Sequence, residues 1–267
     1  MQEKAAAQRS GRIRIVSLAP SVTSILLDLG GGRDLVGVSK WCKHVSNIGR
    51  RPQVGDCWKM NVAEVMRLKP TLLIGSVPFA TETVSEILKQ PVALLAMNPR
   101  SLSDVEADIR LLGRLVERTA RAESVIARMN RDFARVAEIA KKRRRKAGQR
   151  GPVRVYCEAW PNPRISSPPW VAELVRIAGG QMVVPAGVRV SDEEVARAMP
   201  DLIVLAWAAT GDRAKSRSAM RNPKWQELPA IKAGRVTVIR DEWLNTPGPI
   251  LTRGARELLQ AIWGREK

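Results

Sequence analysis

SLSDVEADIRLLGRLVERTARAESVIARMNRDFARVAEIAKKRRRK, residues 101–146, holds no proline in a chain that has 17 of them. Leu, Ile, Val, Met and Phe recur through it three or four positions apart, the spacing that gathers apolar side chains on one face of an α-helix. The pattern breaks near Gly113–Thr119, so the stretch reads as two abutting helices. At about 1.5 Å per residue the second is long enough to span about 40 Å. It closes on KKRRRK at 141–146, cations set at the negative end of the helix dipole, and AGQRGP follows as a linker. What flanks this segment decides the fold.

Both flanks alternate short β-branched runs with amphipathic ones. On the N-terminal side, RIRIVSL (12–18) is a strand followed by a turn and the helix SILLDLG, which stops at Gly30, Gly31 and Gly32. LVGVS (35–39), TLLIGS (71–76) and VALLAM (92–97) are further strands, and NVAEVMRLK (61–69) and TETVSEILKQ are helices between them. After the linker come the strand VRVYCE (153–158), the helices WVAELVRIAGG and SDEEVARAM, and the strand DLIVLAW (201–207). A short helix, a last strand and the helix PILTRGARELLQAIWG close the chain. Repeated βαβ order implies parallel sheets. The expected organisation is an α/β lobe over 1–100, a helical segment over 101–147 and a second α/β lobe over 148–267. NVAEVMRLKPTLLI and SDEEVARAMPDLIVL share element order and the proline stop, an internal echo that points to related lobes.

Tryptophan supplies 8 of the 11 aromatic residues, and its wide rigid face and single N–H donor suit a binding surface better than a core alone. In open parallel sheets ligands bind beyond the carboxyl ends of strands, which is where Trp41, Trp160, Trp207 and Trp243 fall. Trp58 sits in the loop QVGDCWKMN. In VYCEAWPNPRISSPPW (155–170) a buried strand is expected to run into a loop whose prolines limit the entropy lost on binding. Asn162 and Pro163 beside Trp160, and Asn245 beside Trp243, complete the expected ligand-binding set. Trp170, Trp225 and Trp263 are read as packing residues.

Signatures of chemistry are sparse. There is no nucleophile elbow, phosphate-binding glycine loop, zinc-protease helix or dinucleotide fingerprint. Glu158, Asp241 and Glu242 are the acids nearest strand ends, expected to be solvated or arginine-paired and not catalytic. Cys42, His44 and Cys57 lack a fourth metal ligand. The odd count of three cysteines fits free thiols better than disulfides. No apolar run reaches the roughly 18 residues that a membrane span needs, and the first dozen residues carry no apolar leader, so the sequence as written encodes no export signal and leaves a cytoplasmic location open. The net charge of +19 opens a reading of a different class, a nucleic-acid or anionic-surface binder.

RIVSLAPSVTSIL, LVGVS, VGDCWKMNVAEVMRLKPTLLI, PRSLSDVEADIRLLGRL, the long helix, WVAELVRIAGG and VSDEEVARAMPDLIVLAW, in that order, resemble the substrate-binding proteins of cobalamin and ferric-siderophore ABC transporters, the cobalamin branch above all. The resemblance implies two Rossmann-like lobes with central parallel sheets, one rigid helix joining them, and a ligand cleft between lobes that closes modestly. It implies a monomer without a cofactor that binds a corrinoid or related metal chelate, with ferric siderophore or haem as alternatives, and that is no enzyme. By the same matching, Trp58 and Trp243 are cleft tryptophans, Trp41 takes the place of a cleft tyrosine, and the Trp160, Asn162 and Pro163 loop is a wall segment. Proteins of this family are usually extracytoplasmic and dock onto a permease through one exposed glutamate per lobe. Glu193 matches on the second lobe; on the first, Ala63 occupies the matching position and Glu64 lies one place along.

Overall fold

The computed structural model describes residues 12–211 and 213–264. It divides into two compact units, Met1–Asn98 with Arg110–Ala122, and Pro99–Ile109 with Glu123–Lys267.

In the first unit, β1 (Ile15–Ser17), α1 (Pro20–Asp28), β2 (Leu35–Ser39), β3 (Gln53–Val54), α2 (Val62–Arg67), β4 (Leu72–Ser76), α3 (Thr81–Leu88) and β5 (Ala93–Met97) follow in chain order. Their sheet runs β3-β2-β1-β4-β5, and every pairing is parallel. β1 is central and fully buried, so it takes Ile15 and Val16 on both faces and no charge. Its last residue, Ser17, is satisfied internally: Thr23 donates to its hydroxyl at 2.8 Å, and Ser17 donates to the Ala19 carbonyl. The chain order reverses beside β1, so the loops after β1, β2 and β3 converge at one end of the sheet.

The proline-free stretch forms α4 (Leu102–Leu115) and α5 (Thr119–Lys146). Between them Glu117 takes a left-handed φ of 54° and Arg118 N–H donates to the Gly113 carbonyl at 2.7 Å. A side chain on Gly113 would press to 2.7 Å from the Ala122 Cβ, so the glycine permits the close approach of the two helices.

The second unit contains β6 (Val153–Pro161), β7 (Arg164–Ser166), α6 (Pro169–Ile177), β8 (Gly180–Met182), α7 (Asp192–Arg197), β9 (Leu202–Leu205), α8 (Ser216–Met220), α9 (Pro229–Lys232), β10 (Val236–Val238), α10 (Asp241–Leu244) and α11 (Leu251–Trp263). β6 pairs in parallel with β9 and, through its first half, with β8; β9 pairs in parallel with β10. Here one sequence expectation is corrected. Residues 155–170 are not a strand entering a loop. β6 continues through Trp160 and Pro161 and turns back as β7, an antiparallel hairpin with an irregularity between Glu158 and Trp160. Pro161 and Pro163 are tolerated because they lie at the end of β6 and in the turn, where no ladder donor is needed.

The internal echo is structural. Residues 61–70 and 191–200 have identical secondary structure and identical burial, position for position. Asn61 and Ser191 cap α2 and α7 by accepting the N–H of Glu64 and Glu194. Both helices end at a left-handed residue before proline, Lys69 (φ 49°) and Met199 (φ 43°). One arginine then ties each helix end to the neighbouring strand: Arg14 donates to the Leu68 and Lys69 carbonyls, and Arg154 to those of Ala198 and Met199. The carbonyls that a helix leaves unpaired at its C-terminus are thereby satisfied.

Candidate functional site

Each unit sets a strand-end tryptophan on a buried carboxylate. In the first unit that carboxylate is Asp56, in the loop after β3. It accepts the Trp41 indole N–H at 2.6 Å, and the backbone N–H groups of Trp58 and Lys59 at 3.0 Å each. Burial pushes its pKa up, but the Trp41 indole, those two N–H groups and the Lys40 ammonium outweigh that effect and hold it below the ordinary value. Lys40 also lies 5.0 Å from the centre of the Trp41 ring. Trp41 is half-buried, while Trp58 leaves 63% of its surface exposed on the loop that Asp56 braces.

In the second unit the carboxylate is Glu158, fully buried near the end of β6. It accepts the Tyr156 hydroxyl and the Trp207 indole N–H, both at 2.8 Å, and pairs with Arg164 of β7. Arg164 also donates to Asp192 at 2.8 Å and stacks 4.4 Å from the centre of the buried Trp225 ring. Burial lowers its pKa, but the Glu158 charge more than reverses this and the net shift is upward. Burial and the same carboxylate push the Tyr156 phenol far up, so it stays a neutral donor. Trp160, at the hairpin tip, is 41% exposed and donates to the Asn162 carbonyl at 2.8 Å; Pro163 follows in the turn.

A second cluster lies at the ends of β9 and β10. Asp241 accepts the N–H groups of Ala209 and Gly211, and Glu242 pairs with Arg240. Burial and the Glu242 charge raise the Asp241 pKa. Trp243, which the sequence places just after the last strand, is held in α10. The Arg253 guanidinium lies 3.8 Å from the centre of its ring and that of Arg240 5.7 Å. Asn245 donates to the Ala206 carbonyl at 2.7 Å, leaving its side-chain oxygen buried without a partner. All three strand-end acids are buried: Glu158 and Glu242 are arginine-paired, as expected, whereas Asp241, expected to be solvated or arginine-paired, is satisfied by backbone N–H groups.

The packing assignments hold for Trp170, Trp225 and Trp263, which donate to the carbonyls of Leu244, Asp192 and Ala178. Cys42, Cys57 and Cys157 are buried free thiols. Burial raises the pKa of each, that of Cys57 to about 11. No group of three His, Cys, Asp or Glu among the described residues is placed to hold a metal. Of the expected docking acids, Glu193 is exposed and pairs with Lys224, whereas Glu64 is exposed in the first turn of α2. Within the repeat, Glu64 corresponds to Glu194, the acid of the α7 capping box, and Ala63 corresponds to Glu193. Asp56, Arg164 and Arg253 escaped the sequence reading. A cavity of about 550 Å³ in the second unit lies beside β8, lined by Arg144, Glu173, Arg176 and Met182 among others, and no tryptophan reaches it. Among the described residues no helix is long and apolar enough to cross a membrane.

Comparison with known proteins supplies the context for this arrangement. The chain is 26% identical over 260 residues to the ABC transporter substrate-binding lipoprotein YvrC of Bacillus subtilis strain 168, covering 94% of this chain and 80% of that one. It is 22% identical over 256 residues to a vitamin B12-binding protein of Pectobacterium atrosepticum, with 93% and 88% covered. A periplasmic heme-binding protein from Pseudomonas aeruginosa shares the fold, with a TM-score of 0.81 at 22% identity over 95% of this chain and 94% of that one. The periplasmic binding protein family model matches residues 15–243, and the chain belongs to that family.

Proposed function

We propose that the protein is the corrinoid-binding component of an ABC uptake transporter, acting outside the cytoplasmic membrane without chemistry of its own and delivering its ligand to a permease. Trp58 carries the reading. A tryptophan left 63% exposed, on a loop fixed by four polar contacts to Asp56, is a preorganised face for a large flat ligand. In the second unit Trp160 is 41% exposed at the hairpin tip and Trp243 is half-buried beside Arg253, and the Pectobacterium relative is a vitamin B12-binding protein. The lipoprotein relative suits an extracytoplasmic setting. Glu193 is our candidate for permease docking on the second unit, and on the first it is Glu64, one place beyond the matching Ala63.

One observation favours haem as a second reading. His44 is exposed and its ring lies 6.2 Å from that of Trp41, so an imidazole is available to a metal with an open axial position. The single tyrosine is not, because Tyr156 is buried and committed to Glu158. Titration with cyanocobalamin, and separately with hemin, separates the two. The corrinoid reading expects heat and tryptophan quenching with cyanocobalamin, weakened roughly 30-fold or more by Trp58→Ala. A Soret shift with hemin that is lost in His44→Ala, with no response to cyanocobalamin, would replace it by the haem reading.

A further inference from the structure

The cations at the end of α5 belong to a longer feature. In the second unit, Met129, Phe133, Val136 and Ala140 form the buried stripe of this helix. At about 100° per residue they occupy an arc of about 60°. Arg131, Arg135, Lys141, Lys142, Arg144, Arg145 and Lys146 are all exposed. On the same wheel they fill an arc of about 200° centred nearly opposite the buried stripe. Arg143 falls outside that arc, is less exposed, and donates to the Gly264 carbonyl at 2.7 Å. Two carboxylates lie in 131–146. Asp132 is turned to an ion pair with Arg256 at 2.8 Å, so Glu138 alone faces the cationic arc. Over about 22 Å of helix, seven cations therefore meet one acid. Complementing the helix dipole needs basic residues in the last turn, not a continuous rail along four turns. Arg150 is exposed in the linker that follows, and Arg176 joins Arg144 in lining the cavity beside β8.

We propose that this face of α5 is a docking surface for an anionic phospholipid bilayer. The partner follows from charge and shape: a convex, polybasic helix face with its aromatic residue, Phe133, buried has nothing to stack on nucleobases and matches a planar anionic surface. The choice of bilayer over nucleic acid rests on the transport reading, since a partner of a membrane permease works beside phospholipid. Docking would hold the protein on the membrane and reduce its search for the permease to two dimensions.

Co-sedimentation of the full chain with vesicles tests this, in phosphatidylcholine alone and with 30 mol% phosphatidylglycerol. It is run with and without cyanocobalamin, so that failure of the corrinoid reading leaves the lipid result interpretable. Binding is expected to the phosphatidylglycerol vesicles alone and to fall steeply with salt. It should drop roughly 100-fold in Lys142→Gln/Arg145→Gln/Lys146→Gln. Arg213→Gln/Arg217→Gln/Arg221→Gln removes the same charge from exposed positions elsewhere in the unit and should leave most of the binding intact. Equal loss in both triple variants would show that net charge, not this face, is responsible. No binding to either vesicle, or tighter binding to duplex DNA than to phosphatidylglycerol at matched salt, would overturn the proposal.

Discussion

Removing the Glu158 carboxylate tests whether the second unit's strand-end face is organised as described. In Glu158→Ala, the Arg164 guanidinium loses its closest anion while 82% buried by side-chain area, and the Tyr156 hydroxyl and Trp207 indole lose their acceptors. Breaking a buried pair by deleting one member costs about 3–5 kcal/mol. Arg164 keeps Asp192 and the Trp225 face, which offsets part of this, and the orphaned donors add about 1–3 kcal/mol. The expected loss is about 4–5 kcal/mol, or roughly 10 °C in Tm. Arg164→Met, which strands the buried carboxylate and forfeits the ring contact, is expected to cost about 3–4 kcal/mol. The double variant should lose only about 5 kcal/mol, since each change removes what the other would leave unpaired. Urea denaturation followed by tryptophan fluorescence gives all three values. A coupling of about 2–4 kcal/mol is the expected result; additivity within about 0.5 kcal/mol would refute the network.

Two further predictions concern pH. Asp56 titrates below its ordinary 3.8 in the folded protein, so its charge stabilises the fold above that pH, and the contribution is lost as pH falls through the lower folded value. Asp56→Asn should therefore be about 2 kcal/mol less stable than the parent at pH 7, and the gap should narrow below pH 3.8 in denaturation curves. Asp108 of α4 is pushed the other way, from 3.8 to about 6, by burial and the nearby Asp104 charge. Folded protein then binds more protons between those values, so stability falls as pH rises through the window. Asp108→Asn should be more stable than the parent above pH 6, by on the order of 1 kcal/mol after solvent screening, and equal to it near pH 3.8.

The βαβ frame was legible because its signals are local. β2 was read to the residue, and Pro70 and Pro200 mark the ends of α2 and α7 as expected. β3 spans two residues and β8 three, too few for a period to show. The β6–β7 hairpin was hidden by Pro161 and Pro163, which demote a strand unless they fall at its end or in a turn. α10 was missed because four residues after a strand give no helical repeat. The tryptophans stood out by composition, but what holds them did not. Trp41 meets Asp56 across 15 residues and Trp207 meets Glu158 across 49, distances that pairwise chemistry in one sequence does not announce. The doubling of Arg14 and Arg154 was invisible for the same reason, although the segments they secure were recognised as an echo.

Isothermal titration with cyanocobalamin at low and high salt, with tryptophan emission followed in parallel, tests the central claim most directly. The account predicts one site, strong quenching and an affinity nearly independent of salt, because the contacts are aromatic faces, with Trp58→Ala and Trp243→Ala each weakening it while leaving the melting temperature of the first within about 1 °C of the parent. No heat and no quenching, or binding that both substitutions leave untouched, would contradict it.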